Sequence, residues 1–241
     1  MLFMRLKLSA LILLPVLIMK VIPANAQEQR FAIGLRYGYS LPMGQFASHE
    51  YKRDGKEYGA YALLGSAFSA EGTGYVIDRL GIAANISVAY YPIATGYYLE
   101  DKDADDPAGM NFRMKSDPYE VWKFMAGVLY KLPIREKISF TLKGMSGILW
   151  AKTPDQLYAA NYFGIGEYVW MKTQARSTVI SILGGMACNY QLFPNVELNL
   201  CSEFSYAKPT FSFWDAKLTV KTDREIRMPI LKVQPGLTIT F

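Results

Sequence analysis

The last fifteen residues, Arg227 to Phe241, read R-M-P-I-L-K-V-Q-P-G-L-T-I-T-F and constrain the fold more than any other stretch. In an extended strand successive side chains point to opposite faces. Leu231, Val233, Pro235, Leu237, Ile239 and Phe241 therefore share one face, while Lys232, Gln234, Gly236, Thr238 and Thr240 share the other. A soluble domain seldom closes on its most apolar strand, because termini fray. A sheet closed on itself in lipid needs one, since its last strand must pair with its first and show apolar side chains to the bilayer.

The beginning of the chain supplies the compartment. Arg5 and Lys7 give a positive n-region, Leu8 to Met19 an apolar core, and Ala24-Asn25-Ala26 a small-x-small cleavage site before Gln27, so residues 1–26 read as a cleaved secretory signal peptide. The apolar run is about 12 residues and contains Pro15, short of the ~20 that a spanning helix needs. Taking Arg5, Lys7 and Lys20 from the 26 basic residues leaves 23 against 21 acidic ones, a mature net charge of +2. With no basic block, nucleic-acid binding is not expected. The remaining residues, 27–241, show no linker or low-complexity tract, and one domain is expected.

Alternating segments follow one another along that domain. Strands are expected over Arg30–Leu41, Tyr58–Ile77, Leu80–Tyr90, Tyr119–Leu132, Ile138–Ala151, Gln174–Leu192, Val196–Phe211 and Arg227–Phe241. The connections between them run long, short, long, short, long, short, long. Such a rhythm belongs to an all-β, eight-stranded antiparallel up-and-down transmembrane β-barrel, with short periplasmic turns and four long extracellular loops. An even strand number lets the first and last strands pair and removes the open edges that lipid does not tolerate.

The polar faces of these strands would point inward. Arg36, Asn85, Lys123, Lys131, Lys143, Asn189, Gln191, Glu197, Asn199, Glu203, Lys232 and Gln234 are the expected interior set. A barrel of eight strands has room only for side chains to fill it, so buried charges must pair, and Glu197 and Glu203 are the natural partners of the lysines and Arg36.

Few residues offer chemistry. His49, the sole histidine, lies in the first long connection, with Ser48, Asp101 and Ser116 in this loop and the next. A lipid- or lipopolysaccharide-modifying enzyme could use such a set, but nothing in the spacing ties the residues together, and a non-enzymatic chain is the expectation. Asp101, Asp103, Asp105 and Asp106 imitate the opening of a calcium loop. The turn glycine is replaced by Asp106 and the twelfth position is Phe112, so a solvated acidic loop is the plainer reading and no resident metal or cofactor is expected.

Cys188 and Cys201 flank the turn Phe193-Pro194-Asn195. If Leu192 opposes Val196, Cys188 faces Leu200 outside and Cys201 faces Ala187 inside, which leaves two free thiols. A one-residue slip would place the cysteines opposite each other. Tyrosines and tryptophans near the strand ends, among them Tyr37, Tyr39, Tyr90, Tyr91, Tyr98, Tyr119 and Trp122, are expected to form interfacial girdles.

The ending A-N-A-Q of the leader, F-A-I-G-L-R-Y-G-Y-S-L-P-M-G-Q-F, F-M-A-G-V-L-Y-K-L-P, Y-Q-L-F-P-N-V-E-L-N-L and the terminal P-G-L-T-I-T-F resemble the outer-membrane β-barrel family typical of Bacteroidetes, related in architecture to outer-membrane protein A-like barrels. The resemblance implies a single barrel among outer-membrane lipid and lipopolysaccharide. It also implies assembly by barrel-insertion machinery that reads a C-terminal aromatic strand, which makes Phe241 the expected assembly signal. An extracellular ligand or protein would meet the loops.

Overall fold

In the computed structural model the two ends of the sheet close on each other, Phe31 and Phe241 exchanging backbone hydrogen bonds of 2.8 and 3.3 Å. The structure describes residues 31–53, 56–77, 79–105, 109–162, 166–214 and 221–241. The expected signal peptide lies outside them. In chain order the strands are β1 (Phe31–Pro42), β2 (Lys52–Arg53), β3 (Lys56–Glu57), β4 (Gly65–Ile77), β5 (Leu80–Tyr91), β6 (Gly109–Ser116), β7 (Tyr119–Arg135), β8 (Ile138–Lys152), β9 (Gln156–Tyr162), β10 (Gly166–Lys172), β11 (Arg176–Phe193), β12 (Val196–Ala207), β13 (Thr210–Trp214), β14 (Lys221–Glu225) and β15 (Met228–Thr240). Eight of them form a closed antiparallel barrel in the order β1-β15-β12-β11-β8-β7-β5-β4.

Period-two patterning sets the register. Ile33 stands opposite Ile239, Leu35 opposite Leu237 and Leu41 opposite Leu231, so the outward faces of the first and last strands run into one apolar surface. The ladder skips Tyr37 and Gly38 where Pro235, with no N–H to give, sits on β15. The backbones approach closely here: a Cβ at Gly38 would lie 2.4 Å from the Val233 carbonyl oxygen. Across the β11–β12 hairpin Cys188 opposes Leu200 and Ala187 opposes Cys201, and both cysteines are free. The turn itself is tighter than expected, Phe193 facing Val196 after a register shift beyond Gln191.

Three short turns lie at one end of the barrel and four long connections at the other. Several long stretches expected as plain loop are built up. Residues 92–118 hold a helix, Thr95–Asp105, and β6, while residues 153–175 hold the β9–β10 hairpin. These give a three-stranded sheet in the order β10-β9-β6. Two boundaries also move. The second barrel strand starts at Gly65 rather than Tyr58, because Tyr61 takes a left-handed φ of 55° that ends extended geometry. The seventh stops at Ala207, and Thr210–Trp214 pairs instead with β14 as a separate hairpin.

Candidate functional site

Outward-facing side chains along the barrel are apolar and open: Ile180 is 75% exposed, Tyr39 67% and Tyr37 65%, with Leu35, Ile82, Phe124 and Leu200 also exposed. Inward-facing ones are buried and, through the middle of the bore, charged. This is the reverse of a soluble barrel and the pattern of one whose wall meets lipid.

The charged layer is a chain of ion pairs, two of them between neighbouring strands and two reaching across the bore from Lys143. Arg36 Nη2 lies 2.6 Å from Glu71 Oε1, and Lys143 Nζ bridges Glu71 Oε2 at 2.6 Å and Glu203 Oε1 at 2.5 Å. Lys232 Nζ closes the chain at 2.6 Å from Glu203 Oε2. Neutral groups complete it: Arg36 Nε donates to Asn199 Oδ1 at 3.0 Å, Asn199 donates to Thr238, and Gln234 donates to the Ala67 carbonyl at 2.9 Å. Lys123 donates to Ser205, and Lys131 pairs with Glu197 at 2.5 Å in a less buried place nearer the short turns. Every charged residue expected inside is thus on an inward position. The sequence did not disclose Glu71, the anion on which Arg36 and Lys143 converge. It lies in S-A-F-S-A-E-G-T-G, where Gly72, Gly74 and two alanines blunt the alternation, yet Ser69, Glu71 and Thr73 do share a face.

Toward the long connections the bore changes character. Tyr91, fully buried, shares a 2.5 Å hydrogen bond with Ser40, and beyond it Val121, Leu149, Met228 and Ile230 point inward into an apolar cluster. The long connections roof this cluster with Phe46, Tyr61, Tyr98, Tyr158, Phe211 and Ile226. Phe46 meets Tyr91 and Tyr119 edge-on, with ring centroids 5.0 and 5.3 Å apart. Tyr91, Tyr98 and Tyr119 therefore belong to the cap and not to a girdle. Parity is the reason for the first: Tyr90 points out, so Tyr91 points in.

Polar bonds bind the roof across connections. Glu57 Oε2 accepts from Lys172 Nζ at 3.1 Å and Arg224 Nη1 at 2.9 Å, and Arg224 Nη2 donates to the Gly59 carbonyl at 2.6 Å. Burial pushes the Glu57 carboxyl up, but Lys172 and Arg224 outweigh it and hold its pKa below the ordinary value. Lys172 moves the other way from what pairing alone would give: its own burial holds it below the usual ammonium value against the pull of Glu57. Lys102 Nζ sits 5.5 to 5.8 Å from the ring centroids of Trp170, Tyr158 and Phe112.

The residues considered for chemistry are engaged elsewhere. His49 stacks on Tyr61 and Tyr97, with centroids 5.5 and 4.6 Å apart. Asp101 accepts a hydrogen bond from the Tyr61 hydroxyl, Ser116 donates to the Asp117 carbonyl, and Ser48 accepts from the Glu50 N–H. Burial and Asp101 both push the Tyr61 hydroxyl above the ordinary tyrosine range, so it stays a donor. Asp101 and Asp103 lie on the helix Thr95–Asp105, where residues two apart project to different sides, which departs from the geometry of a calcium loop. Asp106 lies outside the described residues. Among the described residues no three His, Cys, Asp or Glu side chains are grouped to hold a metal.

No protein-family model matches the sequence, and no curated protein matches it. Solved structures with similarity include Ail, the attachment invasion locus protein of Yersinia pestis, at 13% identity and a TM-score of 0.44, over 88% of this chain and 100% of that one. Neisserial surface protein A is 11% identical with a TM-score of 0.45, over 88% and 97%. A major outer membrane protein from Thermus thermophilus is 14% identical with a TM-score of 0.47, over 88% and 98%. These likenesses are slight, and the barrel stands on the strand pairing of the chain itself.

Proposed function

We propose that this chain is an integral outer-membrane barrel, exported by cleavage after Ala26, with a non-enzymatic role in the envelope or in binding at the surface formed by its four long connections. The observation that carries the reading is the joining of an apolar outer wall, closed without an edge, to long connections that all leave from one end. Kinship with the Bacteroidetes-type barrels is part of the same proposal and rests on the sequence motifs. The filled bore supports a structural or binding role over a wide pore, since ion pairs and then an apolar cap occupy it from the middle outward.

Membrane fractionation followed by electrophoresis of heated and unheated samples tests the placement. A folded barrel should run differently until boiled and should stay with the outer membrane, its mature N-terminus at Gln27. Recovery as a soluble periplasmic species would overturn the proposal. The placement of His49 in a ring stack supports the non-enzymatic part. His49→Ala should leave the lipid and lipopolysaccharide profile of the cell unchanged, and a missing lipid species would reverse that assignment.

A further inference from the structure

Three barrel strands continue past the rim as a wall. β6 leads into β7, β8 into β9 and β10 into β11, and the order β6-β9-β10 repeats β7-β8-β11. Backbone bonds tie the junction, Asp117 N–H to the Asp155 carbonyl at 3.1 Å and Thr153 N–H to the Ala175 carbonyl at 2.9 Å. Both parts of the wall have the same inside. Val121, Leu149 and Ala151 below and Tyr158, Met114 and Trp170 above all pack on the one apolar cluster. The outside of the extension is therefore continuous with the lipid-facing outside of the barrel.

Read upward, that outside changes in steps fixed by the register. Phe124, Ile148 and Ile180 form an apolar row, Trp122, Trp150 and Thr178 the next, and Glu120, Lys152 and Arg176 the one above. Arg176 lies 6.0 Å over the Trp150 ring. Beyond the junction Lys115 stands beside Leu157 and Met171, and Arg113 beside Ala159 and Val169. Each upper row joins one exposed cation to two apolar side chains, of which Met171 is 60% and Val169 54% exposed. Glu120, which accepts a 2.7 Å hydrogen bond from Trp122 Nε1, and Glu167 bring acid to this face. Asp117 and Asp155, the latter accepting from the Gln174 N–H at 2.8 Å, lie at the junction between its lower and upper cationic rows.

We propose that this face docks the phosphorylated saccharide head of an outer-leaflet glycolipid, with phosphates on Lys152, Arg176, Lys115 and Arg113 and sugar C–H faces on Leu157, Val169 and Met171. The proposal rests on the outer-membrane reading above. Height selects the occupant. At roughly 3.3 Å per residue, the Lys152–Arg176 row stands about 7 Å above the tryptophan row, within reach of any phospholipid headgroup. Leu157 is seven residues beyond Trp150, so its row lies on the order of 20 Å above, whereas a phospholipid head layer adds only about 5–8 Å per side. A head that reaches both, carries anionic charge and offers apolar patches is a phosphorylated oligosaccharide. Exposed Leu, Val and Met beside cations are otherwise unaccounted for in open water.

The test uses the full mature chain in nanodiscs of phospholipid alone, of phospholipid with phosphorylated lipopolysaccharide, and of phospholipid with the same lipopolysaccharide dephosphorylated. Amide exchange is read at β6, β9 and β10. Phosphorylated lipopolysaccharide should slow exchange there by about tenfold against phospholipid, and dephosphorylation should remove most of that protection. The double variant Arg113→Glu, Lys115→Glu should lose the protection while its heat-shifted mobility is unchanged. Equal exchange in all three discs, or protection that survives the double variant, would overturn the docking face. Failure to enter discs or to show heat-shifted mobility would instead remove the membrane reading beneath it.

Discussion

Below Ser40 and Tyr91 the inside of the barrel is held by charges, and above them by aromatic and aliphatic side chains. The charged layer joins neighbouring strands and also spans the bore. Arg36 meets Glu71 and Lys232 meets Glu203 on paired strands, while Lys143, 72 residues from Glu71, reaches it and Glu203 from a strand that neighbours neither and so needs the closed barrel. The cap is assembled from side chains of the long connections laid over a comparable number of inward apolar positions at the upper ends of the barrel strands. Closure of the sheet thus fixes the first region, and the connections fix the second over a barrel already formed. Stability should accordingly divide between them.

The largest effect is expected at Glu203, which meets Lys143 and Lys232 and is 1% exposed. Removing one member of a buried ion network leaves uncompensated charge and costs about 3–5 kcal/mol. Glu203→Gln keeps the shape and removes the charge. The variant should unfold at clearly lower urea concentration, followed by loss of the fast-migrating band on unheated gels. Unchanged unfolding would mean that water or ions already share the charges and that the layer is not held by its pairs.

Phe46 probes the other region. Its ring is fully buried against Tyr91 and Tyr119, and truncation of such a side chain costs about 3–5 kcal/mol where the site cannot collapse. Phe46→Ala should speed amide exchange at residues 59–62 by about a hundredfold or more, since 1.4 kcal/mol is a factor of ten. Exchange in β1 and β15 should stay as it was. If barrel and cap lose protection together, the two regions form one cooperative unit and the division above fails.

How far the sequence discloses these regions follows from the same division. Period-two strands such as β1 and β15 are legible because lipid on one side and a packed bore on the other force strict alternation. The β11–β12 register is legible because a short turn fixes which residues face each other, and Cys188 and Cys201 then separate. Glu71 is hidden because the outward positions beside it are Ala70 and Gly72, small residues that give no apolar signal. The cap is hidden for a different reason. Tyrosine serves equally at a membrane interface and in an apolar core, so Tyr98, Tyr119 and Tyr158 carry no mark of which they join until the connections are folded over them.

The smallest expected effect lies in the clamp that ties the cap together. Glu57 receives Lys172 and Arg224 from two other connections, and their charges, against the opposing cost of burial, depress its pKa. A carboxyl with a lowered folded pKa adds stability that is present above the unfolded value of about 4.3 and is lost as pH falls through the folded one. The side chain is 34% exposed, so screening reduces the contribution to on the order of 1 kcal/mol. The long connections should therefore become more open to protease as pH drops below about 4, with the heat-shifted mobility of the barrel retained. Glu57→Gln should carry the looser cap at pH 7 and a flatter response to acid. An acid response of the cap that is as steep in Glu57→Gln as in the parent chain would place the sensitivity in other carboxyls, and the clamp would then be packing rather than charge.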